Sequence, residues 1–263
     1  NIVSKNFEWL TTFNISSNNN KILALSGSGD LTTSNLFIGH SLSTIYDYKV
    51  NGIYQVGDKD IPDGYYPGDY RIVDVNGDGK ITTADKTILG KTDPAYRFGI
   101  LNKFHYKSFT LSFFINSVQG GKNGYLGRNS YSATYSDNDL RYNRISEEAN
   151  LFWSPTHTNG IYSLAYTAGA ITPYLYQKRN FIRLQDVTFN YDVPNHIINH
   201  IGIQELSVFF NIKNLLTITG WHGWDPEYTT SYTDDNGNTC YTGSTYDGRP
   251  VMRSFSIGFN VSF

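Results

Sequence analysis

The chain has 263 residues, 21 of them basic and 23 acidic, and a formal net charge of −2, so it implies neither a polyanion-binding surface nor a nucleic-acid partner. A single cysteine, Cys240, excludes a disulfide framework and a thiolate metal cluster. No run of about 18 apolar residues is present, which excludes a transmembrane helix. The negative mean hydropathy leaves a β-barrel open, because half of each barrel strand is polar. Aromatic residues make up 16%, with 21 tyrosines, more than a core needs and suited to membrane-interface girdles or sugar-stacking loops.

The first residues, NIVSKNFEWL, lack the regions of a secretory signal, and the chain reads as a piece of a longer protein. Phe7, Trp9, Phe13 and Ile15 alternate with Glu8, Thr12, Asn14 and Ser16, which predicts a strand from Asn6 to Ser16. After the polar turn Ser17 to Asn20, Lys21 to Ser26 predicts a second strand. A stretch rich in Gly, Asp and Tyr then runs to Pro94. Strands three and four, Tyr96 to Tyr106 and Phe109 to Val118, flank a tight Lys107-Ser108 turn. After a second long segment, strand five spans Lys178 to Asp192, cleanest at Val187, Phe189 and Tyr191. A short helical turn, Asn195 to His200, connects it to strand six, Gln204 to Leu216. In the last strand, Phe255, Ile257, Phe259, Val261 and Phe263 alternate with small or polar residues.

The connections alternate short and long, so a meander sorts the long ones, about 27–94, 119–177 and 217–250, to one end. Outer-membrane barrels have this asymmetry, with short periplasmic turns and long extracellular loops. The expected fold is therefore all-β, a transmembrane antiparallel up-and-down β-barrel. Seven strands are too few to close it, and an open edge is not tolerated in lipid, so the partners must come from a missing segment. Counting strands puts Phe263 at the periplasmic end and Asn1 at the loop end.

The run GDYRIVDVNGDGKITTADKTILGKTDPAYRFGI (Gly68 to Ile100), followed by YKSFTLSFFINSVQGG (Tyr106 to Gly121), resembles the C-terminal part of SusC/RagA-family TonB-dependent outer-membrane transporters. The stretches Ile38 to Gln55, Phe152 to Gly160, Asn180 to Pro194 and Ile201 to Glu227 extend the resemblance over essentially the whole chain, in order. The resemblance implies a 22-stranded barrel in the bacterial outer membrane, with this chain supplying roughly the last seven strands. The plug and the segment that engages TonB would lie upstream. It further implies a SusD-like surface lipoprotein as partner, and import of glycans or peptides without catalysis.

One local motif points to a metal. From Asp74 to Asp85, oxygen side chains fall at positions 1, 3, 5, 9 and 12, with Gly79 at position 6 for the sharp turn. This is the spacing of an EF-hand loop, with Asp for Glu at the end, and predicts a structural Ca²⁺ site of modest affinity. Its ligands would be Asp74, Asn76, Asp78, the Lys80 carbonyl and Asp85; the alternative is an Asx-rich turn that bonds its own backbone. Trp153, Trp221 and Trp224 lie in the long connections, where they would stack on solute or meet a lid partner, or else pack the loops on one another. Trp9 suits the aromatic girdle. His196 and His200 read as solvated turn residues. The pairs Glu147/Glu148 and Asp225/Glu227 read as loop charges, without the positioned separation of a glycosidase. A secreted soluble calcium-binding β-sandwich, such as a carbohydrate-binding module, is the competing architecture.

Overall fold

The computed structural model describes residues 1–27, 29–124, 152–161, 163, 171, 173–221, 225–227, 230–233, 239–242 and 251–263. Fifteen strands are assigned among them: β1 (Ile2–Ser4), β2 (Phe7–Ser16), β3 (Thr44–Tyr48), β4 (Val50–Ile53), β5 (Tyr70–Ile72), β6 (Lys86–Lys91), β7 (Tyr96–Tyr106), β8 (Phe109–Gln119), β9 (Lys122–Gly124), β10 (Tyr176–Lys178), β11 (Phe181–Asp192), β12 (Glu205–Thr219), β13 (Thr230–Thr233), β14 (Thr239–Thr242) and β15 (Ser254–Ser262). The single α-helical turn described, α1, is Asn195–Ile198.

Seven strands form one antiparallel sheet in the order β1-β2-β7-β8-β11-β12-β15. Each neighbour in the sheet is the next long strand in sequence, so the wall is a pure meander. Its connections alternate between two-residue or one-helical-turn links and the segments 17–95, 120–180 and 220–253. Lys107 takes a left-handed φ of 53° in the β7–β8 turn, which lets a two-residue hairpin follow the twist of the strands.

The register sorts the side chains into two faces. Trp9 opposes Phe104, Phe104 opposes Leu111, Leu111 opposes Phe189, Phe189 opposes Phe210, and Phe210 opposes Ile257. On the other face, Lys103, Ser112, Thr188, Asn211 and Ser256 make the parallel row. A bulge between Leu184 and Asp186, matched by an irregularity in β12, shifts the alternation of β11 by one. This is why the period of strand five is clean only beyond Val187: before the bulge the polar-face residues are Phe181 and Arg183, after it Asp186, Thr188 and Asn190.

The apolar face has no protein layer on it among the described residues. Ile257 is 78% exposed, and Phe13, Ile15, Ile218, Phe255 and Phe259 are exposed as well. A sandwich would bury this face against a second sheet; the soluble β-sandwich alternative is therefore not favoured. Toward the short-turn end the face carries an aromatic belt. Trp9 stacks on Phe104 at 5.5 Å, Phe104 on Phe113 at 6.0 Å, and Phe109 meets Tyr191 at 4.7 Å and Phe189 at 5.8 Å. The Trp9 Nε1–H donates to Asn102 Oδ1 at 3.0 Å, giving the ring its polar anchor.

Most of the buried apolar residues among those described lie in the long connections rather than on the wall. Tyr48, Ile53, Tyr70, Ile72 and Trp153 form one satellite core, built by the two-stranded sheets β3-β6 and β4-β5. The expected second strand, Lys21 to Ser26, does not form. Ile22 makes a single bridge to Ile38 and is buried, whereas Leu23 next to it is 78% exposed. The reason is that Ser17 Oγ donates to the Ala95 carbonyl at 2.8 Å, tying the end of β2 to the start of β7 so that the two pair directly. The count of seven is kept by β1, which pairs Ile2 with Trp9 and Ser4 with Phe7.

Candidate functional site

All three long connections meet the wall at one place on its polar face. A row of residues in register, Ser16, Arg97, Val118, Phe181 and Thr219, crosses five strands at the loop end. Above it a pocket of about 240 Å³ is lined by Thr92 and Pro94 of the first connection, Gly120 and Arg179 of the second, and Pro226 and Glu227 of the third. Arg97, Val118 and Phe181 form its floor.

Local chemistry explains the close approach. Gly120 and Gly121 have φ of +82° and +77°, and a Cβ on either would come within 2.7 Å of Ala95 N or 2.6 Å of the Thr92 carbonyl. Only glycine fits both demands. Gly120 N–H donates to Asn180 Oδ1 at 2.9 Å, joining the two ends of the second connection, and Ala95 N–H donates to the Gln119 carbonyl at 2.8 Å, tying the end of the first connection to the end of β8.

The third connection is held by charge. Arg183, 2% exposed on β11, donates from Nη2 to Asp225 Oδ2 at 2.7 Å and from Nη1 to Glu227 Oε2 at 2.9 Å. Its Nε–H donates to Thr217 Oγ1 at 3.0 Å, and its guanidinium lies 4.8 Å from the Phe181 ring centre. Asp225 is itself buried and accepts the Glu227 N–H through Oδ1 at 2.8 Å. The Arg179 Nε–H donates to the Pro226 carbonyl at 2.8 Å. Burial, then the neighbouring positive charge of Arg97, pushes the Arg179 guanidinium below its ordinary value. The Asp225/Glu227 pair thus clamps a loop to the wall: both carboxylates are held by one guanidinium, so neither is placed as a free acid or base.

The loop tryptophans are placed as follows. Trp153 is 2% exposed, and its Nε1–H donates to Gln55 Oε1 at 2.8 Å within the satellite core, so it presents almost no ring surface to solute. Trp221 is also buried, and its backbone N–H donates to Thr219 Oγ1 at 3.0 Å. Trp224 lies outside the described residues, as do Glu147 and Glu148.

The segment Asp74 to Asp85 folds as a cascade of Asx turns. Gly77 N–H and Gly79 N–H donate to Asp74 Oδ1 and Oδ2 at 2.7 and 2.8 Å, Asp78 N–H to Asn76 Oδ1 at 3.0 Å, and Lys80 N–H to Asp78 Oδ1 at 2.8 Å. Asp85 closes the loop from a fully enclosed position, accepting Val75 N–H at 2.9 Å and Thr82 N–H at 2.8 Å. With the Thr82 hydroxyl accepting Ala84 N–H, it forms a capping box on the following turn. The amides of Thr82 first, then Val75, hold the Asp85 carboxyl below the usual carboxylate range. Among the described residues, no three His, Cys, Asp or Glu side chains converge as a metal-holding group. His196 and His200 sit at the short-turn end of the wall, after Pro194.

Sequence reasoning passed over Arg97, Arg179 and Arg183. The only signal was their position, at the loop ends of strands and on the polar face, and the bulge in β11 obscured that for Arg183.

Comparison with known proteins agrees with this architecture. No family model matches the chain. The chain is 30% identical to TonB-dependent receptor P3 of Formosa agariphila over 287 residues, all of this chain and 27% of that protein. It is 26% identical to TonB-dependent receptor SusC of Bacteroides thetaiotaomicron, again over its whole length and 25% of that protein. This chain is, over its whole length, a homologue of TonB-dependent receptors, SusC among them. It spans about a quarter of the length of these curated relatives. In fold it is similar to the RagAB peptide importer, with a TM-score of 0.70 to the open-open state and 0.71 to the closed-closed state. Those matches cover 99% and 100% of this chain and 27% and 28% of the other, at 18% and 20% identity. The SusC and RagA proteins are transporters rather than enzymes.

Proposed function

We propose that the chain supplies barrel wall and solute-facing rim to an importer in the bacterial outer membrane, working in a TonB-dependent cycle with a SusD-like surface lipoprotein. Glycans or peptides are the solutes this reading names. The observation that carries it is the two-faced seven-stranded wall, apolar and exposed on one side among the described residues, with every long connection leaving and rejoining it at one end. The segments 17–95, 120–180 and 220–253 are then extracellular, and the free edges of β1 and β15 pair with the remainder of the same transporter. The relatives support the reading: one is SusC, and the neighbouring fold is a peptide importer. The test is purification of the full-length receptor from outer membranes in detergent, with identification of the co-purifying lipoprotein and of any solute trapped with it. A receptor recovered from the soluble fraction without detergent would overturn the proposal.

We also propose that Asp74, Asn76, Asp78, the Lys80 carbonyl and Asp85 take a structural calcium ion. The ligand spacing supports it, and each oxygen that accepts a backbone amide keeps a second lone pair. Calorimetric titration of the full-length receptor with CaCl₂ should give one weak site that Asp78→Ala removes. Absence of heat, together with unchanged amide protection of this loop in chelator, would remove the calcium.

A further inference from the structure

We propose that Asn51-Gly52 is a site of spontaneous deamidation, and that its isoaspartyl product loosens the satellite core of the first connection while leaving the wall intact. The inference needs only the fold of that connection and stands apart from the import reading.

The chemistry needs no partner but water. The deprotonated main-chain nitrogen of the residue after an asparagine attacks the side-chain carbonyl carbon, a C–N bond forms, and ammonia leaves. Water then opens the resulting five-membered succinimide at either carbonyl, giving aspartate or isoaspartate. One water is consumed for each ammonia released, and nothing is oxidised or reduced. Glycine as the following residue has no Cβ to hinder the attack.

The chain has five Asn-Gly pairs, beginning at Asn51, Asn76, Asn123, Asn159 and Asn236, and the fold separates them. Asn236 lies outside the described residues. At Asn76 both reacting groups are held. Gly77 N–H donates to Asp74 Oδ1 at 2.7 Å, while the Asn76 side chain accepts Asp78 N–H and donates to Asp78 Oδ2, each at 3.0 Å. Asn123 and Gly124 lie in the β9–β10 ladder, opposite Gln177 and Tyr176. Gly160 N–H donates to the His157 carbonyl at 3.4 Å, and the Phe152 and Trp153 backbone crowds its Cα.

Asn51 differs on each count. Asn51 and Gly52 are both exposed, and the Asn51 side chain makes no hydrogen bond among the described residues. A Cβ built on Gly52 would meet nothing within 4 Å, so its Cα faces open space. The register of β4 on β5 slips here, from Val50 opposite Ile72 to Ile53 opposite Tyr70, so Asn51 and Gly52 together face Arg71. Such a bulge leaves one residue out of the ladder, which frees the backbone for the turn that ring closure needs.

The position gives the product its effect. Isoaspartate routes the main chain through the former side chain and lengthens it by one carbon between Val50 and Ile53. Ile53 is buried with Tyr48, Tyr70, Ile72 and Trp153, and Val50 packs against that cluster. A longer backbone between them cannot keep both side chains seated, because strand register fixes the face of each and the core is close-packed.

The test ages full-length receptor in detergent at mildly alkaline pH. Peptide mapping follows it, with electron-transfer fragmentation to separate isoaspartate from aspartate. A mass gain of about 1 Da should appear at Asn51 and lead Asn76 by about tenfold or more, since a held site reacts only through local opening. The rate should rise with pH, as deprotonation of the attacking nitrogen requires. Unfolding in urea before ageing should bring Asn76 up to the rate of Asn51. Protease should cleave aged wild type within 44–72 and spare the wall. Aged Asn51→Gln, whose longer side chain disfavours the five-membered ring, should keep the resistance of fresh receptor. No product at Asn51 in the time that urea-unfolded receptor converts, or equal conversion of Asn51 and Asn76 in folded receptor, overturns the site. Unchanged protease resistance once Asn51 has converted overturns the loosening of the core.

Discussion

Replacing Arg183 by Met removes the guanidinium and keeps most of the side-chain volume. Asp225 is then left buried, with 7% of its side chain exposed, and without its ion-pair partner. Breaking a buried pair in this way costs about 3–5 kcal/mol, because the remaining charge is desolvated and uncompensated. Glu227, whose side chain is 40% exposed, adds less than about 1 kcal/mol. At about 1.4 kcal/mol per decade, the undocked state of the segment around 225–227 should rise by about two to three and a half decades. Hydrogen–deuterium exchange reads this directly, since the Glu227 amide is bonded to Asp225 Oδ1 at 2.8 Å in the docked state. In full-length receptor, Arg183→Met should speed exchange of that peptide by about this factor while β8 and β12 amides stay protected. The double change Arg183→Met with Asp225→Leu should recover most of the protection, because an apolar pair replaces a buried ionic one at little net cost. Exchange within about threefold of wild type in the single variant, or no recovery in the double, would refute the clamp.

Phe259→Arg places a charge on the bare apolar face and should cost about 2–4 kcal/mol of folding free energy in lipid vesicles. Asn260→Arg, one residue on and facing the opposite way, should cost far less, as read by gel migration of the vesicle-folded receptor. Gly258→Ala puts a Cβ 2.6 Å from the tip of the Phe209 ring and should cost about 1 kcal/mol, with Phe209→Leu in the same chain restoring it. Trp153→Ala empties the satellite core and should cost about 3–5 kcal/mol locally, seen as protease cleavage within 44–72 while the wall remains intact. For Asp85 the folded pKa lies below the unfolded one, so its stabilising bonds are fully present above the ordinary carboxylate value of about 4 and are lost as pH falls through the lower folded value. Amide protection of Val75 and Thr82 should therefore stay constant from neutral pH down to about 5 and decline only on further acidification.

Much of the wall was legible in residue order. The alternation of Phe255 to Phe263 and of Phe109 to Ile115 sets which face is bare, since a period of two admits only one assignment. The alternation of short and long connections likewise put every long segment at one end. Tertiary structure decided the rest. Lys21 to Ser26 has strand-like composition, but only the Ser17–Ala95 bond and the direct β2–β7 pairing show that no ladder is available to it. Trp153 has the sequence setting of a stacking residue, yet the folding of two distant connections around it buries its ring. Arg97, Arg179, Arg183, Asp225 and Glu227 span about 130 positions and converge only because the meander brings three loop bases to one rim. Periodicity is local and survives in sequence, whereas the meeting of charges across strands depends on register, a bulge at Gln185 and the close approach that Gly120 and Gly121 permit.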